Sequence, residues 1–167
     1  IEPAVKPAAQ NHRGEKVAVM ATPLTLHEEK FKQLVKRYEN LATIIPVPCP
    51  DLVEYVEKGI LEGPELEGYL KDVLKPCLQE GVKAVVLGCT HFPLVKAAIG
   101  KVVGESVRIY DGGEGTARQA KCLLAAKNLC TDQEKGHICF ESSAPEKEAY
   151  YEALYRKAAH IDSRVKL

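Results

Sequence analysis

A thiol and an imidazole two residues apart, Cys89 and His91, stand in the tetrapeptide Gly88-Cys89-Thr90-His91. An apolar run, Lys83-Ala84-Val85-Val86-Leu87, precedes it, and a helix-compatible segment, Phe92-Pro93-Leu94-Val95-Lys96-Ala97-Ala98, follows. The pattern predicts a cysteine at a strand-to-helix turn, where the N–H groups and positive dipole end of the following helix favour a thiolate. Such a thiol suits proton transfer or nucleophilic attack. His91 is spaced to pair with it, to orient a substrate or to supply a second proton-transfer group. Unreactive cysteines are commonly buried small hydrophobes. The strand-Gly-Cys pattern alone favours that reading, and the adjoining Thr90 and His91 bring chemistry level with it.

Other polar residues have simpler explanations when taken alone. Thr22 and Thr25 carry short hydroxyls suited to a carboxylate or an amine, but a strand end followed by a helix cap accounts for both. Glu57 lies beside Leu52, Val53 and Val56 on a short helical segment and reads as a solvated face, as does the cluster Lys-Arg-Tyr-Glu at 36–39. The glycine-rich loop at 112–115 lacks the endings of a phosphate-cradling loop and the spacing of a dinucleotide site, so a turn explains it. Cys89 and His91 have no nearby Cys or His to complete a structural zinc set, so no metal site is expected.

These residues must be positioned by an ordinary globular fold. The chain has 167 residues, 46% of them apolar, and 23 basic side chains balance 23 acidic ones. Neither a nucleic-acid-binding nor a polybasic membrane surface is indicated. The six cysteines show no CxxC pair, which fits a reducing cytoplasm. No apolar stretch is long enough to span a bilayer, and the start lacks an initiator Met and a secretory pattern, so a fragment is one expectation.

Strand and helix signals alternate. Residues 1–15 read as a Pro- and Ala-containing linker or arm. Strands are predicted at 16–20, at 41–47 until Pro46, at 83–87, at 106–110 and at 137–141. Helices are predicted over 26–40, capped by Thr25, over 51–58, over 65–80 with Pro76 kinking or shortening it, from near Pro93, over 116–129 and over 145–158. The class is therefore α/β, with a mainly parallel sheet flanked by helices. In such sheets ligands gather at the carboxyl ends of the strands, which places Thr22, Thr25, the Cys89 turn and the Asp111 loop around one crevice.

The run Val85-Val86-Leu87-Gly88-Cys89-Thr90-His91-Phe92-Pro93-Leu94-Val95 resembles the second cysteine signature of bacterial glutamate racemases, in the aspartate/glutamate racemase superfamily. Further stretches agree in order. Ile1-Glu2-Pro3 is similar to the family's interdomain segment, Cys49-Pro50 through Gly59 to its Cys-Pro helix, Asp111 to Gln119 to its Asp-Ser-Gly-Glu segment, and His137 to Tyr155 to its closing strand and helix. Two departures stand out. The family's Gly-Thr-x-x-Thr loop is here Ala21-Thr22-Pro23-Leu24-Thr25, and its Asp-Ser-Gly is Asp111-Gly112-Gly113.

The resemblance implies a cofactor-independent isomerase, cytoplasmic, that interconverts L- and D-glutamate for peptidoglycan synthesis, commonly as a homodimer. Inversion needs an acid and a base on opposite faces of the α-carbon, and the family uses two cysteines. By motif position Cys89 is the second of these, and His91 assists it or binds substrate. Thr90, Thr22 and Thr25 bind substrate, and Glu57 is a supporting carboxylate. The first cysteine, in an Asn-Thr-Ala-type motif, does not occur in these 167 residues, nor does the family's early Asp-Ser-Gly motif. The expected organisation is therefore a carboxy-terminal portion: residues 1–110 as a complete second domain and residues 111–167 as returning elements of the first. Those last elements are expected to be poorly ordered or to need another chain over their apolar faces, and the chain alone is expected not to racemise. Aspartate racemase, whose motif tends to have Glu after Cys-Thr, and a non-catalytic carboxylate- or partner-binding module are the competing readings.

Overall fold

The structure, a computed structural model, describes residues 1–131 and 137–164, without the side chains of 158–164. Four parallel strands form one sheet: β1 (Lys16–Ala21), β2 (Thr43–Pro48), β3 (Ala84–Leu87) and β4 (Arg108–Tyr110), in the order β2-β1-β3-β4. This is the predicted α/β class. Every residue of β1 and β3 except Lys16 is buried, as parallel strands covered on both faces require.

Residues 1–15 are not a linker. They contain α1 (Glu2–Asn11), whose Ala4, Val5, Ala8 and Ala9 are wholly or almost wholly buried in a core shared with Val17, Val19, Ala84 and Val86. Small side chains at this spacing make a narrow stripe that lets a helix approach a sheet closely. Pro3 lies in the first turn, where its missing N–H breaks no helical bond. The Pro and Ala content that resembles a linker is thus a helix start and a packing stripe.

The helix expected over 26–40 is two helices, α2 (Pro23–His27) and α3 (Glu29–Tyr38), separated by the extended backbone of Glu28. Thr22, not Thr25, caps α2, its hydroxyl accepting the Thr25 N–H at 3.4 Å. Phe31, Leu34 and Tyr38 of α3 join the α1 core. β2 runs through Pro46 to Pro48 instead of ending at Pro46. Cys49 N–H donates to Ala21 O, so by alternation the N–H groups missing at Pro46 and Pro48 belong to the outer edge, where no ladder bond is lost.

On the opposite face α4 (Leu52–Glu57), α5 (Pro64–Gln79) and α6 (Lys96–Val103) complete the crossovers. Leu66, Leu70, Leu74 and Cys77 form the buried stripe of α5, which continues through Pro76 rather than stopping there. Full burial of each such leucine contributes about 1.5–3 kcal/mol. Gly100 of α6 lies against Ile109, which is paired with Val85, and so α6 covers the Val85 face.

By contact, the chain divides into Ile1–Gly115 and Thr116–Leu167. The helix expected over 116–129 starts earlier, as α7 (Gly113–Ala126), and none of its residues is buried. Asn128, at φ 55°, adopts the left-handed conformation that ends a helix, with Leu129 N–H returning to Leu124 O. The strand expected over 137–141 does not form, and Ile138 there is 65% exposed. A strand persists only beside a partner that takes its backbone bonds. A 3-10 turn at Pro145–Lys147 leads into α8 (Glu148–Arg164), where Leu154 is buried and Phe140 packs on Tyr155.

Candidate active site

The strand order contains its own pointer to a site. From β1 the chain goes out to β2 on one side, then crosses back to β3 on the other, so the sense of winding reverses between β1 and β3. Crevices open at the carboxyl ends of the strands flanking such a reversal. Thr22 directly follows β1, and Gly88-Cys89 directly follows β3.

Gly88 sets the approach of the two strand ends. Its N–H donates to Met20 O at 2.8 Å, and a Cβ built on it would lie 2.6 Å from that same oxygen. Only glycine permits this contact, and it brings Cys89 to the end of the central strand. The next residues enter a 3-10 turn, Phe92–Val95, anchored by buried Phe92 and Val95. The α-helix proper begins only at Lys96, so the predicted placement of a helix N-terminus immediately after the thiol is corrected: the partner found for Cys89 is His91.

Cys89 Sγ lies 3.8 Å from His91 Nδ1, and His91 Nε2 lies 2.8 Å from Glu57 Oε1. Packing of α4 against the 3-10 turn brings the carboxylate here from the β2–β3 crossover. A carboxylate only accepts, so the hydrogen of a neutral His91 is on Nε2, and Nδ1 presents its lone pair to the thiol. The three side chains therefore form a file in which the thiol can donate to an imidazole whose tautomer Glu57 holds. It has the logic of a nucleophile, a base and an orienting acid. All three are partly buried, with His91 31% and Glu57 38% exposed.

The other predicted residues are placed separately. Thr22 Oγ1 and Thr25 Oγ1 are 2.9 Å apart at the end of β1. Thr90 is exposed beside Cys89. The remaining cysteines separate cleanly from this site. Cys49 is buried, donates to Val47 O and is pushed up to about 12, chiefly by burial. Cys77 is likewise buried, bonded to Leu74 O and raised by burial. Cys122, Cys130 and Cys139 are exposed. Among the described residues no group of three or more His, Cys, Asp or Glu is arranged to hold a metal ion. No described helix is long and apolar enough to cross a membrane.

Sequence reading overlooked Lys96. Its Nζ donates to Asp111 Oδ2 at 2.9 Å, and Asp111 Oδ1 accepts the Gly113 N–H at 3.0 Å. Burial alone would raise the Asp111 carboxyl, but the Lys96 and Gly113 hydrogen bonds and the Lys96 charge outweigh it and hold it below the ordinary carboxylate value. The signal was a lone cation in the apolar stretch Phe92–Ile99. An open apolar groove of about 570 Å³ between α2, α3 and β2 is lined by Leu26, Phe31, Val35 and Pro46 and includes none of the three residues of the file.

The chain is similar to known racemases. The family model described as Asp/Glu/Hydantoin racemase matches residues 1–120. The glutamate racemase of Clostridium perfringens is 43% identical over 148 residues, 88% of this chain and 57% of that protein. That of Clostridium kluyveri is 47% identical over 135 residues, covering 81% and 52%. The chain thus spans about half the length of these relatives. Escherichia coli glutamate racemase, solved with L-glutamate and the activator UDP-MurNAc-ala, superposes with TM-score 0.73 at 30% identity over 92% of this chain and 59% of that one. The Francisella tularensis enzyme, solved with D-glutamate, gives 0.65 at 26% identity over 77% and 47%. The family match takes in every strand of the sheet and the whole Glu57–His91–Cys89 file, and on it this chain belongs to the Asp/Glu/hydantoin racemase family.

Proposed function

We propose that this chain carries the second-cysteine half of a glutamate racemase, with Cys89 as one of two acid/base groups. The observation that carries the reading is the Glu57–His91–Cys89 file at the reversal of the sheet. In one direction the Cys89 proton passes to His91 Nδ1, and the resulting thiolate removes the α-proton of glutamate. A thiol from outside these 167 residues then returns a proton on the opposite face, inverting the centre. In the other direction Cys89 is the thiol that donates. Glu57 holds the imidazole in the required tautomer, and the hydroxyls of Thr22, Thr25 and Thr90 hold substrate polar groups. The reaction needs no cofactor, because proton removal and return are both done by side chains.

Glutamate is favoured over aspartate by His91 after Cys-Thr, and the relatives above are glutamate racemases. The product would serve peptidoglycan synthesis, and a cytoplasmic homodimer is the expected setting, with free cysteines in keeping with a reducing compartment. The organisation proposed is residues 1–110 as the second domain and 111–167 as returning elements of the first.

The test is D-glutamate formation from L-glutamate by the chain alone and by the chain mixed with an amino-terminal racemase half. Inversion only in the mixture supports the proposal. Inversion by the chain alone would refute the two-thiol division of labour. Binding of glutamate without inversion in either sample would point to a binding module, and D-aspartate formation from L-aspartate to the other substrate.

A further inference from the structure

Lys96 and Asp111 lie beside the catalytic turn but belong to no step above. Lys96 is the first residue of α6, reached from Cys89 through a single 3-10 turn whose Phe92 and Val95 are fully buried. Asp111 directly follows β4, which pairs with β3 in the register Val86 with Tyr110, so it stands one strand over from Gly88-Cys89. Its two oxygens are divided: Oδ2 accepts from Lys96 Nζ, and Oδ1 from the N–H of Gly113, the first residue of α7. The side chains are only 26% and 22% exposed. A Cβ at Gly113 would lie 3.2 Å from Asp111 Oδ1, so glycine there leaves room for the carboxylate to close on its own helix start.

We propose that Lys96 and Asp111 are a positioning pair, a clamp through one carboxylate that locks the Cys89-His91 turn to Gly113, where α7 begins. A lysine whose only task was solubility would point its charge outward. This one is drawn inward to a carboxylate that is itself engaged with the neighbouring helix. The depressed ionisation of Asp111 agrees, because the carboxylate is held in the charged form that the clamp requires. The same helix start runs close to α1, since a Cβ built on Gly115 would meet Pro3 at 3.5 Å, so loss of the clamp should loosen the turn without unfolding the sheet. The clamp rests on the proposed function only in naming Cys89 as the reacting thiol.

The experiment uses the full chain and does not require racemisation. Amide hydrogen exchange at 113–116 and at 89–91, and the alkylation rate of Cys89 by neutral iodoacetamide, are compared in wild type, Lys96→Ala, Lys96→Arg and Asp111→Asn, with β1 and β3 amides as internal reference. Lys96→Ala and Asp111→Asn are each expected to raise exchange at 113–116 by about tenfold, as loss of a charged hydrogen bond implies. They are also expected to change the Cys89 alkylation rate severalfold, with the β1 and β3 amides unmoved and Lys96→Arg restoring both readouts. Unchanged exchange at 113–116, an unchanged Cys89 rate, an equal loss of protection in β1, or failure of the arginine to rescue overturns the clamp. Because neither readout depends on turnover, failure of the clamp and failure of the racemase reading are separable.

Discussion

α5 and α7 are helices of similar length, α5 within Ile1–Gly115 and α7 mostly beyond it, and both have amphipathic sequences. α5 buries Leu66, Leu70, Leu74 and Cys77, whereas α7 buries nothing and leaves Leu123 52% and Leu124 45% exposed. An apolar stripe specifies a helix face, but stability comes from what the face meets. α5 meets the sheet beside β2 and the helix α6. Ile138 and Leu129 repeat the α7 pattern, apolar side chains without cover. The same contrast divides the cysteines: Cys49 and Cys77 are sealed and raised by burial, Cys89 is held at a strand end beside an imidazole, and Cys122, Cys130 and Cys139 are exposed.

The largest effect should come from the file itself. In the chain supplemented with an amino-terminal racemase half, His91→Ala is expected to slow inversion by about a hundred- to ten-thousand-fold, the usual range for removing an acid/base group. Glu57→Gln should cost less, because it perturbs the tautomer and leaves the imidazole in place. Equal rates for His91→Ala and wild type would break the assignment.

Next come the packing contrasts. Leu74→Ala is expected to destabilise the sheet-containing unit by about 2–5 kcal/mol in urea unfolding, and Leu123→Ala to change it by less than about 0.5 kcal/mol. Comparable losses would erase the distinction between the two regions. Gly88→Ala should cost about 1–3 kcal/mol, because its Cβ meets a backbone oxygen that is held by β1. An unperturbed unfolding midpoint would show that the strand ends can move apart.

The smallest effect is a pH dependence. Asp111 ionises below the ordinary carboxylate value when folded, so its pairing stabilises the fold fully above the unfolded value, and the contribution is lost as pH falls through the depressed folded one. The urea midpoint should therefore drop through the acid range, below about pH 4, more steeply for wild type than for Asp111→Asn. Identical acid slopes would contradict this.

Much of the fold was legible because its elements announce themselves locally. Continuous apolar runs identified β1 and β3, the three-and-four spacing of Phe31, Leu34 and Tyr38 identified the core face of α3, and Gly88-Cys89-Thr90-His91 pointed to the candidate site. What escaped depended on partners. The helical character of residues 2–11 was hidden because its stripe is made mostly of alanines, which signal little until a sheet lies against them. Pro46 looked like a strand end because only the ladder tells which edge its missing N–H faces. The strand expected at 137–141 has the composition of a strand and no neighbour in which to realise it. In the site, Cys89 and His91 could be paired by proximity in sequence. Glu57, 34 residues away from His91, could be assigned only through family resemblance, and Lys96 and Asp111 could be linked only once β3 and β4 were adjacent.

The most direct test of the central claim is incorporation of solvent deuterium at the α-carbon of L- and D-glutamate by the chain together with an amino-terminal racemase half, for wild type and Cys89→Ala. Wash-in is expected during turnover of both enantiomers by wild type, with Cys89→Ala abolishing inversion. Inversion at the wild-type rate by Cys89→Ala would contradict the assignment of Cys89 as one of the two acid/base groups.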